Sequence, residues 1–396
     1  MSAAHSRKRH CIDLLKQKIK FAPVVSIQGA RQVGKSYLAN QILPALLKDS
    51  VYLTLDEKDQ RKFADENPNS FLKQHKTKHL IIDEVQKSPD LFDEIKSIVD
   101  KNRIPGQFII LGSTEFSHET QIQESLTGRM TRLKLYPLSL SETLKIEINS
   151  QKKFPFIFSK TRAQRVDLLL YLNNGGLPGI FSIRNINERK ALIHDWIKLT
   201  VERDLHQIKK NKLDSKLALR ILECIAKLQQ PILSEIVNEL GVNSKKIQSH
   251  LNALKTLFVI FEISPFKKSA GKPIYYLTDP SLLNYFDATF DKKLTTWIYL
   301  ELKSQLSYKD MEDIEIYYYK SNTSSLVHVI AEYKNELFVV KIGFQQIYDK
   351  RDSLIFETLK KKFQNSYKKI HFHILNGGEN YFKHDEVQIS PWESIA

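Results

Sequence analysis

Cysteine is nearly absent: 396 residues hold only Cys11 and Cys224. Two thiols so far apart exclude a disulfide framework and a cysteine zinc site, and they fit a reducing compartment. Long apolar runs are absent too. No stretch of about 18 uncharged apolar residues exists, so no transmembrane helix is expected. The basic N-terminus MSAAHSRKRHCIDLLKQ lacks the apolar core of a signal peptide. These absences read as a cytoplasmic protein with no membrane partner. No internal repeat and no low-complexity segment appears. Arginine is scarce, 14 Arg against 46 Lys, and after Arg220 only Arg351 remains. The net charge of +15 favours nucleic acid or an anionic membrane surface as a partner. A lysine-, Ile-, Asn-, Tyr- and Phe-rich chain is also what an AT-rich gene encodes, so charge alone decides nothing.

The length favours two or three domains. Short apolar runs at 24–28 (VVSIQ), 51–55, 79–82, 107–111 and 133–136 alternate with helical stretches such as 35–47 and 90–101. Strands alternating with helices predict a parallel sheet covered on both faces, an α/β fold. Residues 141–212 read as mostly helical, broken at Asn173–Pro178. Residues 214–257 read as three helical segments, followed by a hairpin to about 278. Strand periods dominate 310–342, and a helix (352–364) and a strand (370–375) close the chain. The expected division is 1–140, 141–212, 213–282 and 283–396.

Gly29-Ala30-Arg31-Gln32-Val33-Gly34-Lys35-Ser36 is G-x-x-x-x-G-K-S between a strand and a helix. Such a loop wraps backbone N–H groups around phosphates at a helix N-terminus. The expected ligand is ATP with Mg2+, bound by Gly29 to Tyr37. Lys35 reaches the β- and γ-phosphates, packing against nothing itself, and Ser36 offers its hydroxyl to magnesium. Leu80-Ile81-Ile82-Asp83-Glu84 is an apolar strand ending in two acids, 48 positions after Lys35. Asp83 is expected to hold magnesium through water, and Glu84 to orient or deprotonate the attacking water. A further strand ends in Gly112-Ser113-Thr114-Glu115, where Ser113 or Thr114 faces the ligand crevice. Leu126-Thr127-Gly128-Arg129 follows, and Arg129 is a candidate arginine finger in cis or trans.

The strings GARQVGKS, LIIDEVQ, ILGSTE, LTGRM, YPLSLSE (136–142) and NGGLPGI (174–180) resemble the AAA-type predicted ATPases of bacteria and archaea. Trp196, the segment Val201–Leu205 and the segment Lys272–Asp279 fit that family too. The resemblance implies a P-loop ATPase domain with a helical lid, a winged helix, and a C-terminal restriction-endonuclease-like α/β module. It implies Gly34, Lys35 and Ser36 for phosphate and metal, Asp83 and Glu84 for hydrolysis, Ser113 as sensor and Arg129 as finger. An arginine in trans would make the protein a homo-oligomer.

Residues 231–244 read as helix and glycine turn, followed by a second helix, Lys245–Lys255, a helix-turn-helix signature. Leu233, Ile236, Val237 and Leu240 bury one face; Ile247, Leu251 and Leu254 bury the next. Lys245, Lys246, Gln248 and His250 are expected outside, and Lys267, Lys268 and Lys272 follow on a wing. Lysines suit phosphate contacts in DNA, but the same fold also serves as a protein-packing module. In the last module His328 stands where the family has an acid, and Val339 stands where it has the Glu of Glu-x-Lys; Lys341 remains. Glu301 lies in the preceding helix. Without strand acids a hard cation has no ligands, so no nuclease activity is expected. The reading is an ATPase driving a DNA- or protein-recognition unit; the alternative is a non-hydrolysing nucleotide-dependent binding module.

Overall fold

The five apolar runs of the first 140 residues become one parallel sheet. The computed structural model describes residues 7–396 apart from 76, 116–125, 148–155, 157, 209–212 and 322–324. Residues 209–212, where the helical junction was expected to end, thus lie outside the described residues. Strands β1 (Val24–Gln28), β2 (Ser50–Thr54), β3 (His79–Asp83), β4 (Phe108–Gly112) and β5 (Met130–Lys134) stand in the order β2-β3-β4-β1-β5. Every residue of β1, β3 and β4 is buried, as a sheet covered on both faces requires. The cover comes from α1 (Ile12–Phe21), α2 (residues 35–46, π-helical over Leu38–Ile42), α3 (Lys58–Glu66), α4 (Pro68–Lys73) and α5 (Asp90–Lys101). α5 matches the helix read over 90–101. β5 starts earlier than its apolar run, because Val24 of β1 pairs with Met130.

The next stretch is less helical than its composition suggested. It holds α6 (Leu140–Thr143), α7 (Arg165–Asn174) and α8 (Ile186–Leu199), which runs on through the π-turn Thr200–Asp204 to Ile208. Then come α9 (Ser215–Lys227), α10 (Leu233–Leu240) and α11 (Ser244–Thr256), the three expected helices, and the antiparallel hairpin β6 (Ile260–Pro265) with β7 (Ile274–Leu277). Gly241 ends α10 at φ +61, the left-handed conformation glycine adopts without strain. Ile236, Ile247, Leu251 and Leu254 are buried, with Leu233, Val237 and Leu240 packed partly buried against them. His250 is a correction. It was expected outside but is 1% exposed, because its Nε2 accepts the Asp214 N–H at 3.0 Å.

Two helices, α12 (Pro280–Tyr285) and α13 (Phe290–Tyr308), lead to β8 (Tyr317–Lys320), β9 (Leu326–Tyr333) and β10 (Glu336–Ile342). The chain continues through α14 (Leu354–Phe363) to β11 (Lys369–Asn376), β12 (Phe382–His384) and β13 (Val387–Pro391). One eight-stranded sheet, β12-β13-β11-β10-β9-β8-β6-β7, holds them all. A strand pairing crosses the boundary expected at 282: β6 pairs in parallel with β8, Ser264 opposite Tyr317. The tip of the hairpin is docked as well. Tyr318 Oη donates to the Lys272 carbonyl at 2.7 Å, Lys362 Nζ to the Lys268 carbonyl at 2.8 Å, and Lys267 pairs with Glu332 at 2.9 Å. The core is shared in the same way: Leu168 and Tyr171 of α7 pack in one cluster with Trp297 of α13 and Val340 of β10.

Candidate functional site

Between β1 and α2 the loop 29–34 turns on backbone conformations that favour glycine. A Cβ at Gly29 would lie 2.2 Å from the Leu135 carbonyl oxygen, and Gly34 sits at φ +98. Gln32 is left-handed too, at φ +61. Alternating left-handed residues turn successive N–H groups inward, the geometry that cradles anions. Lys35 does not stand free as expected. It is 5% exposed, and its Nζ donates to the carbonyls of Gly29 and Ala30 at 2.8 Å each. Burial pushes its ammonium down to about 8, opposed by the charges of Glu84 and Asp83. Ser36 and Tyr37 are exposed at the start of α2.

The acids at the end of β3 are held individually. Asp83 is 2% exposed; its Oδ2 accepts from Tyr52 Oη and its Oδ1 from the Glu84 N–H, both at 3.0 Å. Burial and the Asp83 charge push the Tyr52 hydroxyl above its usual range. Glu84 adopts φ +54, a left-handed conformation that costs a non-glycine residue energy and persists where surroundings fix it. Its Oε2 accepts from Ser113 Oγ at 3.2 Å and from Gln86 Nε2. Gln86 also donates to Ser113 Oγ at 3.3 Å. The expected sensor and the expected base therefore touch. Tyr52 and Gln86 were not read as site residues; nothing in local spacing marks Tyr52, while Gln86 lies in the quoted LIIDEVQ string.

A cavity of about 410 Å³ opens beside these groups, lined by Glu84, Ser113, Arg31, Arg61 and Arg203 among others. Arg31 is held by two bonds to Asp204, 2.6 and 2.7 Å, and Trp196 Nε1 donates to its carbonyl at 3.1 Å. The Val201–Leu205 segment thus brings Arg203 to the pocket. Arg129 is not brought there. Its carbonyl accepts the Val24 N–H, so it sits at the amino end of β1, and its guanidinium holds Asp100 at 2.8 Å. Five strand residues at about 3.3 Å each separate it from the phosphate loop. An arginine that sequence reading missed, Arg9, lies behind the loop: it is buried and donates to the Val33 carbonyl at 2.8 Å.

The residues fit magnesium and ATP. No cluster of three or more His, Cys, Asp or Glu occurs among the described residues. Magnesium needs only one or two protein oxygens beside phosphates and waters, and the Ser36 hydroxyl and the Asp83 carboxylate are the ones that would hold it. Two buried polar atoms close by, Thr114 Oγ1 and Gln86 Oε1, have no hydrogen-bond partner in the protein. In the C-terminal sheet Lys341 pairs with Asp352 at 2.8 Å. His328 accepts the Ile342 N–H at Nδ1, and burial beside Lys341 pushes its ring down to about 3, so it stays neutral. Glu301 accepts from the Leu140 N–H and Trp297 Nε1, turned toward α6.

No helix among the described residues is long and apolar enough to cross a membrane. Residues 165–293 match a domain of unknown function, DUF8612. An uncharacterized protein of Mycobacterium tuberculosis and one of Mycobacterium bovis are each 27% identical over 288 residues, 70% of this chain. The chain spans 59% of the length of these curated relatives. Among solved structures, a Walker-type ATPase of Pyrococcus abyssi aligns with a TM-score of 0.43 at 14% identity, covering 71% of this chain and 95% of that one. AMPPCP-bound DnaA of Aquifex aeolicus aligns with a TM-score of 0.29 at 15% identity, covering 62% and 87%. Neither likeness is close enough to carry an argument. Residues 22–144 match the AAA domain. That segment contains the phosphate loop, Asp83, Glu84 and Ser113, and its five-stranded parallel sheet agrees with an AAA-type P-loop fold.

Proposed function

We propose that the chain binds ATP with magnesium in its AAA domain, hydrolyses it, and uses the nucleotide state to drive a C-terminal unit that recognises DNA or protein. One observation carries this reading: Glu84 and Ser113 meet at 3.2 Å beside the loop that holds Lys35. A protein that only binds nucleotide needs no such pair. Lys35 releases its two carbonyls and turns to the phosphates. Ser36 and Asp83 would hold Mg2+, which neutralises charge on the β- and γ-phosphates. Glu84 orients the attacking water and takes its proton, Ser113 contacts the γ-phosphate, and Tyr52 holds Asp83 in place. Residues 213–282 act as a winged helix and 283–396 as a nuclease-like scaffold without nuclease activity.

Two ties support the coupling. The Glu115 N–H, two residues past Ser113, donates to the Thr256 carbonyl at the end of α11 at 2.9 Å. Arg31, inside the phosphate loop, is bound to Asp204 at the junction. Both would feel an occupied loop directly. The test is phosphate release with and without duplex DNA, for wild type and Glu84→Gln. Magnesium-dependent release is expected, falling about 10²–10⁴-fold in the variant while ATP binding persists. ATP binding without release from either protein would leave the non-hydrolysing module.

A further inference from the structure

A second cleft, about 220 Å³, lies where the carboxyl ends of β1 and β5 meet α13 and the turn after α11. Two ammonium groups converge on it from different elements. Lys134, the last residue of β5, places Nζ 5.1 Å from the ring centres of both Tyr136 and Phe258. Lys303 of α13 places Nζ 5.8 Å from the Phe261 ring. Among the described residues neither ammonium has a carboxylate within 4.0 Å or a hydrogen-bond partner. Two acids line the cleft, Glu115 and Glu312. Glu312 is engaged by Ser307 Oγ at 2.5 Å. Burial pushes Lys303 down to about 8, with Lys134 adding repulsion, and burial lowers Lys134 as well. Phe258 is also unusual: it follows α11 at φ +56, where glycine is the common residue. A bulky left-handed residue at a cleft wall is strain of the kind found at ligand sites.

We propose that this cleft binds a small organic anion, a carboxylate or phosphate carried on a flat ring. The charge sits between Lys134 and Lys303, and the ring lies against Phe258 and Tyr136. Two like charges held half-buried with no carboxylate within 4.0 Å, and only more distant acids such as Glu115 and Glu312 to offset them, are less favourable in the empty cleft than once an anion enters. Such a ligand would bridge the AAA domain and α13, so it would act on the contact between the two halves. The proposal is independent of the ATP reading.

The experiment uses protein saturated with ADP and magnesium, so that the phosphate loop is filled, and 8-anilinonaphthalene-1-sulfonate as probe. Fluorescence titration should find one site per chain whose affinity falls with salt. K134M and K303M should each weaken the probe at least about tenfold, while K303R retains it. Without probe, both methionine variants should melt at higher temperature than wild type, because each removes an uncompensated charge. Unchanged affinity in either variant would overturn the proposal. So would lower melting temperatures in both, which would make the lysines structural partners of Glu115 and Glu312. Loss of the probe signal when ADP and magnesium first fill the nucleotide-free protein would place the probe at the phosphate loop, and would overturn it too.

Discussion

Replacing Arg9 by methionine tests whether a residue outside every motif frames the nucleotide site. Arg9 is 8% exposed. It donates Nε to Glu142 at 3.2 Å, Nη1 to the Val33 carbonyl at 2.8 Å, and Nη2 to the Tyr136 carbonyl at 2.6 Å and Tyr308 Oη at 3.1 Å. Methionine keeps most of the stem's volume and removes every donor. The Glu142 side chain is fully buried. It retains the N–H groups of His10 and Ser139 but loses its counter-charge. Breaking one side of a buried ion pair costs about 3–5 kcal/mol. Each orphaned carbonyl adds about 1 kcal/mol, partly recovered by relaxation, so about 4–6 kcal/mol is expected. R9M/E142Q removes the stranded charge and should recover about half of that. Urea unfolding followed by circular dichroism measures both, and ATP titration should find weaker binding because Val33 belongs to the phosphate loop. A cost under about 1 kcal/mol for R9M, or strict additivity in the double variant, would refute the reasoning.

Lys35→Ala should remove most ATP affinity while the protein stays folded, as read by a fluorescent ATP analogue; equal binding would refute the loop assignment. In wild type the free lysine titrates near 8, and phosphate binding favours its charged form. ATP affinity should therefore fall as pH rises through about 8, by up to about tenfold per unit, and Lys35→Ala should lose that slope. Asp83→Asn should weaken the magnesium dependence of ATP binding, whereas Glu84→Gln should leave it intact; identical behaviour would abolish their division of labour. Arg129→Ala should leave turnover at low protein concentration unchanged, since its guanidinium faces Asp100. A loss that mixing with Lys35→Ala protein restores would instead assign Arg129 to a neighbouring subunit's site. If DNA binds, Lys245→Gln/Lys246→Gln should flatten the salt dependence of fluorescence anisotropy more than Lys267→Gln, because Lys267 is already paired with Glu332.

The parts legible in the sequence are those set by neighbours along the chain. Apolar runs gave all five strands of the first sheet, the glycine string gave the turn between β1 and α2, and Asp83-Glu84 gave the acids at the end of β3. Ser113 followed, because a hydroxyl at a strand's carboxyl end has one place to point. Contacts across long separations were hidden. Arg9 meets Tyr308, Tyr52 meets Asp83 and Asp204 meets Arg31 through tertiary packing that no spacing encodes. His250 looked polar and outward until the Asp214 N–H bound it. The place of Arg129 was readable: it precedes β5, so it had to lie at the amino ends of the strands, away from where ligands of such sheets bind.

The pairing of β6 with β8 has a practical side for anyone handling the chain in pieces. The ribosome delivers Ile260–Pro265 some fifty residues before Tyr317–Lys320. For that interval the hairpin carries an open strand edge, the feature by which sheets join neighbouring chains. A fragment ending near Thr278 would keep that edge for good. It should precipitate or associate with itself, even though its three helices bury their own apolar faces. The middle of this protein should therefore stay free of such association when the last third is attached or when a substitute strand occupies the place of β8.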